Sequence, residues 1–270
     1  MDILTSFVVM FSIALLAGVV LAVFSRVFAV AENPLKKKVR ECLPGINCGA
    51  CGFKSCDDYA EALAEGKAAP NMCVPGAQSV AETVAAVIGV EAEPVKDVVA
   101  FVACNGTCDA VTNKAKYDGV DTCKAAGMLY GGDKYCYFSC LGYGDCAKVC
   151  PANAICLKDG IARVLTDRCL GCGLCEDVCP KKIITMVAQD TRTVVMCSNK
   201  QKVNEAIKAC KNACIGCKKC EKTCLDGAIA VENNLAKIDY TKCTNCGKCV
   251  EACPTGCLKS VVFPDLKKGE

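Results

Sequence analysis

The run Cys169-x2-Cys172-x2-Cys175-x3-Cys179-Pro180 returns at the same spacings as Cys243-x2-Cys246-x2-Cys249-x3-Cys253-Pro254. The offset is 74 residues. It also carries Cys123, Cys136, Cys140, Cys146 and Cys150 onto Cys197, Cys210, Cys214, Cys220 and Cys224, and Ile155 onto Ile229. Nine cysteines matched at one offset mean a duplicated unit. A hydrophobic content of 53% leaves ample material for cores, so the repeated cysteines are read as chemistry done by thiolates. Composition narrows what that is. With 28 Cys and no His in 270 residues, His-ligated zinc or haem, Rieske centres and His-based catalytic triads are excluded. A net charge of +3 gives no argument for nucleic acid as a partner.

From Ile3 to Val30 the one charge is Arg26. A helix crossing the ~30 Å hydrocarbon layer needs about 20 apolar residues, so residues 1–30 are predicted to be a transmembrane anchor with length to spare for tilt or for Arg26 to snorkel. Asp2 precedes this stretch, and Lys36, Lys37, Lys38 and Arg40 follow it. The positive-inside rule then predicts a single-pass protein of the inner (cytoplasmic) membrane, N-terminus outside and Cys-rich part in the cytoplasm. A cleaved signal peptide would carry its positive charge before a shorter apolar core, the reverse of this order. A cytoplasmic remainder is kept reduced, which disfavours disulfides. Residues 31–46 read as a charged linker, with Asn33-Pro34 as breaker and Pro44-Gly45 as turn.

Residues 47–92 form the next unit. Cys48, Cys51 and Cys56 sit on a Gly-rich loop, and Cys73 follows 17 positions later. Asp57 to Glu65 is predicted helical, with Tyr59, Ala60 and Leu63 on one face and Gly66 as stop. A second helix is signalled by Ser79 and Glu82 as a capping box, by Val80, Val84, Val87 and Ile88 as its stripe, and by Gly89 at its end. The first helix would bring Cys73 back as fourth ligand of a small 4Fe-4S module. Four-Cys zinc is the competing reading.

The repeated runs match the bacterial ferredoxin pattern, in which three thiolates hold one 4Fe-4S cluster and the fourth ligates its partner. The upstream partner of the second run is Cys214, Cys217, Cys220 and Cys224, complete except for Leu225 in place of proline. Crossing gives Cys214, Cys217, Cys220 and Cys253 for one cluster, and Cys243, Cys246, Cys249 and Cys224 for the other. In the first unit Cys169, Cys172, Cys175 and Cys150 make one set. Cys140, Cys146 and Cys179 lack a fourth, because Tyr143 stands where a cysteine belongs. Cys136 is the nearest replacement, and a three-iron cluster the alternative. Cys104, Cys108 and Cys123 could form a sixth cluster with Cys136, which would then be lost to its neighbour. Cys197 and Cys210 are repeat echoes that no cluster calls for. Cys42, Cys156 and Cys257 read as small buried hydrophobes.

The predicted fold is α+β: a single transmembrane helix, the small helical module, and two tandem ferredoxin-type domains at 136–190 and 214–270. Segments 93–135 and 191–213 would connect them. Strand signals run from Ile155 to Leu165 and from Ile229 to Ile238, each broken by a turn. At least five clusters follow, or six. No glycine fingerprint of a dinucleotide site opens a helix after a strand, and no paired-carboxylate signature stands out, so the chain carries no complete active site of its own. Residue chemistry alone therefore reads as a one-electron relay.

The order of parts resembles one family. The resemblance rests on the anchor, on Leu43-Pro-Gly-Ile-Asn-Cys-Gly-Ala-Cys-Gly-Phe-Lys-Ser-Cys-Asp-Asp-Tyr-Ala-Glu-Ala, on Ala126-Gly-Met-Leu-Tyr-Gly-Gly with Cys140-Leu-Gly-Tyr-Gly-Asp-Cys146, and on the doubled ferredoxin unit. The family is that of the B subunit of the Rnf complex, an ion-translocating ferredoxin:NAD+ oxidoreductase. Resemblance implies electron uptake from soluble ferredoxin, partner subunits in the membrane, final delivery to NAD+ elsewhere, and coupled Na+ or H+ export. A cluster-bearing component of a hydrogenase, formate dehydrogenase or carbon monoxide dehydrogenase complex is the alternative. It fits the ferredoxin units equally and the Cys48–Cys73 unit less well. Between Lys200 and Lys222, seven lysines against Glu205 and Glu221 mark either a solvated face or a docking site for an acidic donor.

Overall fold

The computed structural model describes residues 3–27, 33–95 and 97–262. Helix α1 (Ile3–Val27) covers the predicted anchor, and residues 1–2 and 28–30 of that prediction lie outside the described residues. Its segment Thr5–Arg26 has mean hydropathy 2.9, and the rest of the chain buries none of it, so it is long and apolar enough to cross a bilayer.

The expected linker is largely helical. Helix α2 (Pro34–Cys42) starts at Asn33, whose Oδ1 accepts from the Leu35 N–H at 3.0 Å. Pro34 takes the first helical position, where a missing N–H costs nothing. The pair read as a breaker is a start signal. Val39 and Leu43 are buried against helix α3 (Cys56–Ala64). Lys36 pairs with Glu61 at 2.8 Å and Arg40 with Asp57 at 2.9 Å, so half of the basic run after α1 clamps these two helices together. Ser55 caps α3, and Tyr59, Ala60 and Leu63 are buried as the periodicity predicts. Helix α4 (Ala77–Ile88) begins two residues before the predicted capping box, and the box does not form. Ser79 lies inside the first turn and donates to the Gly76 carbonyl, while Glu82 accepts from Gln78. Gly89 closes α4 at φ 76° as expected.

The first ferredoxin unit comprises strand β1 (Val98–Val102), helices α5 (Cys123–Met128) and α6 (Asp145–Lys148), strands β2 (Ile155–Lys158) and β3 (Ile161–Val164), helix α7 (Leu174–Val178) and strand β4 (Ile184–Ala188). The second has strand β5 (Thr193–Val195), helices α8 (Val203–Ala209) and α9 (Lys219–Thr223), strands β6 (Ile229–Glu232) and β7 (Leu235–Ile238), helix α10 (Lys248–Glu251) and strand β8 (Leu258–Ser260). Hairpins β2–β3 and β6–β7 fall where the strand signals and turns put them, with Asp159, Gly160, Asn233 and Asn234 at positive φ.

Both units start earlier than predicted. β1 pairs antiparallel with β4 (Val98↔Ala188, Val102↔Ile184), and β5 with β8 (Thr193↔Ser260). The first strand of each unit is thus claimed by its last, and the segments expected to be connectors belong to the units. A pairing between ends more than 60 residues apart leaves no local pattern to read. Val99, Phe101, Ile161 and Ile184 form one core, which Val194 of the second unit joins. Ile229, Leu235 and Leu258 form the other. Fully burying an aliphatic side chain stabilises by about 1.5–3 kcal/mol, so these few residues carry much of each unit's own stability.

Candidate iron–sulfur centres

The first thiol quartet is local. Asn47, at φ 52°, turns the loop and accepts from the Cys56 N–H at 2.8 Å, closing Cys48 and Cys51 over the start of α3. Tyr59 donates to the Ala69 carbonyl at 2.7 Å and accepts from the Met72 N–H at 3.3 Å, which fixes the returning chain with Cys73. Burial pushes the Cys73 thiol up to about 11, with Cys56, Cys48 and Cys51 close enough to add to it. These four are the predicted set.

Cys150, Cys169, Cys172 and Cys175 surround one cavity of the first ferredoxin unit, as crossing predicts. Backbone N–H groups point at their sulfurs: Ala100 to Cys169 and Ala154 to Cys150, each at 3.3 Å. Gly171, between Cys169 and Cys172, has φ +66°, and a Cβ there would stand 2.5 Å from the Val98 carbonyl oxygen and 3.2 Å from Val74 Cγ1. Glycine thus lets this loop nest against both β1 and the chain just after Cys73.

The neighbouring cavity is lined by Cys140, Cys146 and Cys179, and its fourth thiol is Cys123, not the expected Cys136. Thr122 caps α5, accepting from the Ala125 N–H at 3.1 Å, and Asp145 accepts from the Lys124 N–H at 3.1 Å. The residue before Cys146 therefore holds the helix that carries Cys123. Tyr143 turns to Asp133 and packs edge-on against Tyr117. A Ser/Thr cap directly before a cysteine was the readable signal. Cys136 lies elsewhere, with Cys104, Cys197 and Cys210. Cys108, expected beside Cys104 and Cys123, is exposed and joins neither group.

In the second unit Cys214, Cys217, Cys220 and Cys253 line one cavity. Cys224, Cys243 and Cys246 lie close enough to Cys249 to raise its pKa, after the larger effect of burial. Both sets are the crossed ones. Cys257 is buried as expected, but beside the first of them: its sulfur is 3.6 Å from Cys253 Sγ, and its interaction with Cys214 pushes the Cys214 thiol down and the Cys257 thiol up. In the first unit the equivalent position is Ile183. Cys42 and Cys156 are half-buried.

The quartets stand in a row. Cys172 feels the charge of Cys48, Cys146 that of Cys175, and Cys140 that of Cys104. Cys197 Sγ accepts from the Cys214 N–H at 3.2 Å, and the last two sets share one core around α9 and α10. Among the described residues no three Cys, Asp or Glu side chains converge on one point as a single ion would require.

Such quartets, with backbone N–H groups aimed at their sulfurs, define an iron–sulfur protein of the multi-cluster ferredoxin class. Family patterns agree. Residues 43–75 match the FeS family, residues 138–190 the LdpA Fe-S cluster-binding domain, and residues 211–227 and 236–259 two 4Fe-4S binding domains. Cys104, Cys136, Cys197 and Cys210 lie outside all four segments or at their margins, and none of the four belongs to a run those patterns describe. The chain is 42% identical over 249 residues to the B subunit of the Na(+)-translocating ferredoxin:NAD(+) oxidoreductase complex of Acetobacterium woodii, covering 92% of this chain and 75% of that one. It is 41% identical to the proton-translocating counterpart of Clostridium ljungdahlii (94% and 91% covered), and 39% identical to the B subunit of the ion-translocating oxidoreductase complex of Methanosarcina acetivorans (93% and 96%). The chain belongs to this family of B subunits.

Proposed function

We propose that this chain takes electrons from reduced ferredoxin at its second ferredoxin unit and delivers them beside the membrane at its N-terminal module, within an ion-translocating ferredoxin:NAD+ oxidoreductase complex. The row of thiol quartets from Cys224 back to Cys48 carries this reading. Five of them would hold 4Fe-4S clusters: Cys48, Cys51, Cys56 and Cys73; Cys150, Cys169, Cys172 and Cys175; Cys123, Cys140, Cys146 and Cys179; Cys214, Cys217, Cys220 and Cys253; and Cys224, Cys243, Cys246 and Cys249. Bound there, each cluster supplies one-electron storage.

The two ends of the row differ as donor and acceptor ends should. At the N-terminal end, residues 28–33 between α1 and α2 reach at most about 20 Å, so the first quartet is tethered close to the anchor. At the other end Cys217 and Cys246 are exposed, Lys218 and Lys219 follow Cys217 directly, and the stretch from Lys200 to Lys222 carries seven lysines. Leu225, 84% exposed, adds an apolar spot beside Cys224. An exposed thiol in so basic a stretch suits an acidic donor, because complementary charge raises the on-rate. In the assembled complex, Cys51→Ala should leave the C-terminal clusters reducible by ferredoxin at the wild-type rate while abolishing NAD+ reduction. C-terminal clusters that fail to reduce would reverse the direction.

Membrane attachment follows from α1 and the lysines beyond it. Deleting residues 1–30 removes no cysteine and should give a soluble, still brown protein that no longer joins membrane partners. In sealed inside-out vesicles added protease should digest the Cys-rich part of the intact chain, and protection there would overturn the orientation.

A further inference from the structure

We propose that Lys134 and Lys181 are counter-charges that raise the reduction potential of the cluster held by Cys123, Cys140, Cys146 and Cys179, so that the first ferredoxin unit draws electrons from the second. The inference rests on the proposed reading of that quartet as a 4Fe-4S site. Lys134 is 6% exposed. Its Nζ donates to the Cys140 and Gly160 carbonyls, each at 2.7 Å. Lys181, half-buried directly after Cys179-Pro180, lines the same cavity as the quartet. Its Nζ donates to the carbonyls of Gly131 at 2.7 Å and Tyr137 at 2.5 Å, and lies 4.1 Å from the centre of the Tyr137 ring. Among the described residues neither lysine is in an ion pair. Asp133, next in sequence to Lys134, turns to the Tyr143 hydroxyl instead.

Carbonyl dipoles solvate an ammonium but do not neutralise it, and a buried charge without a counter-ion is costly. The opposite charge is the quartet itself. Four thiolates outweigh the positive charge of a cluster's core, and each electron taken up adds one more negative charge. A cation held nearby in a low-dielectric interior therefore favours the reduced form. Burial pushes the Cys140 thiol up, and Lys134 is close enough to act against it. Asp145, the one carboxylate lining the cavity, opposes at most one of the two lysines. The second unit lacks this arrangement. Six residues before Cys214 the counterpart of Lys134 is Lys208, which is exposed, and two residues after Cys253 the counterpart of Lys181 is Thr255. Lys218 lines the second unit's cavity, but its side chain is 57% exposed, and water screens it. The asymmetry favours electron flow from the second unit to the first, towards the membrane end.

The test is a potentiometric titration of full-length protein reconstituted without oxygen, followed by visible absorption and electron paramagnetic resonance, with iron counted in every sample. In Lys134→Met and in Lys181→Met, one cluster's share of the bleaching should move to lower potential. At the wild-type midpoint of that cluster its reduced-to-oxidised ratio should fall about tenfold, a shift of about 59 mV for one electron. Lys208→Met should titrate as wild type does. If Lys134→Met loses iron, Lys181→Met decides alone. A midpoint unmoved in either variant at full iron content overturns the proposal, and so does an equal shift in Lys208→Met. Loss of iron from both Lys134→Met and Lys181→Met would make the two lysines structural and overturn it as well. Unmoved midpoints at wild-type iron would leave the proposed function standing, whereas a wild type below about 16 irons would remove the cluster reading itself.

Discussion

Cys123→Ala is expected to break the relay inside the first ferredoxin unit. The variant leaves Cys140, Cys146 and Cys179 with three thiolates around one cavity. Iron should fall by one to four atoms per chain, according to whether a three-iron cluster survives or the site empties. Ferredoxin-driven NAD+ reduction by the assembled complex should drop at least tenfold, on the order of 1.4 kcal/mol or more in the rate-limiting transfer. Spacing alone favours Cys136 for this role, so the contrast is sharp. If Cys123→Ala keeps its iron and its rate, α5 is only a structural helix.

The second large effect lies at the donor end. Lys218 sits at φ 58°, directly before α9, where the equivalent residues Gly144, Gly173 and Gly247 have φ 80°, 80° and 76°. The left-handed conformation costs a residue with a Cβ about 1–2 kcal/mol. A lysine held there at that cost, with only a loose 3.9 Å pairing to Glu221, points to a use for its charge. Reversing Lys218 and Lys219 to Glu should slow reduction by ferredoxin about tenfold or more at low ionic strength. The difference should shrink as the Debye length falls from about 10 Å at 0.1 M salt to about 3 Å at 1 M. Lys218→Gly separates charge from fold: it should stabilise the protein while still slowing ferredoxin. Dithionite, a small reductant, should reduce both variants fully. A double mutant reduced by ferredoxin at the wild-type rate in low salt would place the docking face elsewhere.

What the sequence disclosed and what it hid divide along one physical line. Short-range patterns were legible. The runs at two- and three-residue spacing fold as loop-and-helix turns, the hairpins sit between turn residues, and Tyr59 and Leu63 face the core as their period requires. Contacts made across long separations were not. Cys123 reaches Cys179 because Asp145 captures the start of α5, and nothing near Cys179 announces it. β1 finds β4 through the fold alone, which moved both unit boundaries. The Asn33-Pro34 step failed for a different reason: the same two residues punctuate a loop or start a helix, and burial of Val39 against α3 decides between them.

Thiol quartets that hold iron–sulfur clusters from the membrane end of the chain to its donor end are the core of the proposed relay. The most direct measurement is iron and acid-labile sulfide per chain, with the visible spectrum, on full-length protein purified without oxygen. At least about 20 irons with matching sulfide and a broad absorption near 400 nm, bleached by dithionite, is the expected result. Fewer than about 16 irons in fully reconstituted protein, or zinc in their place, would contradict it.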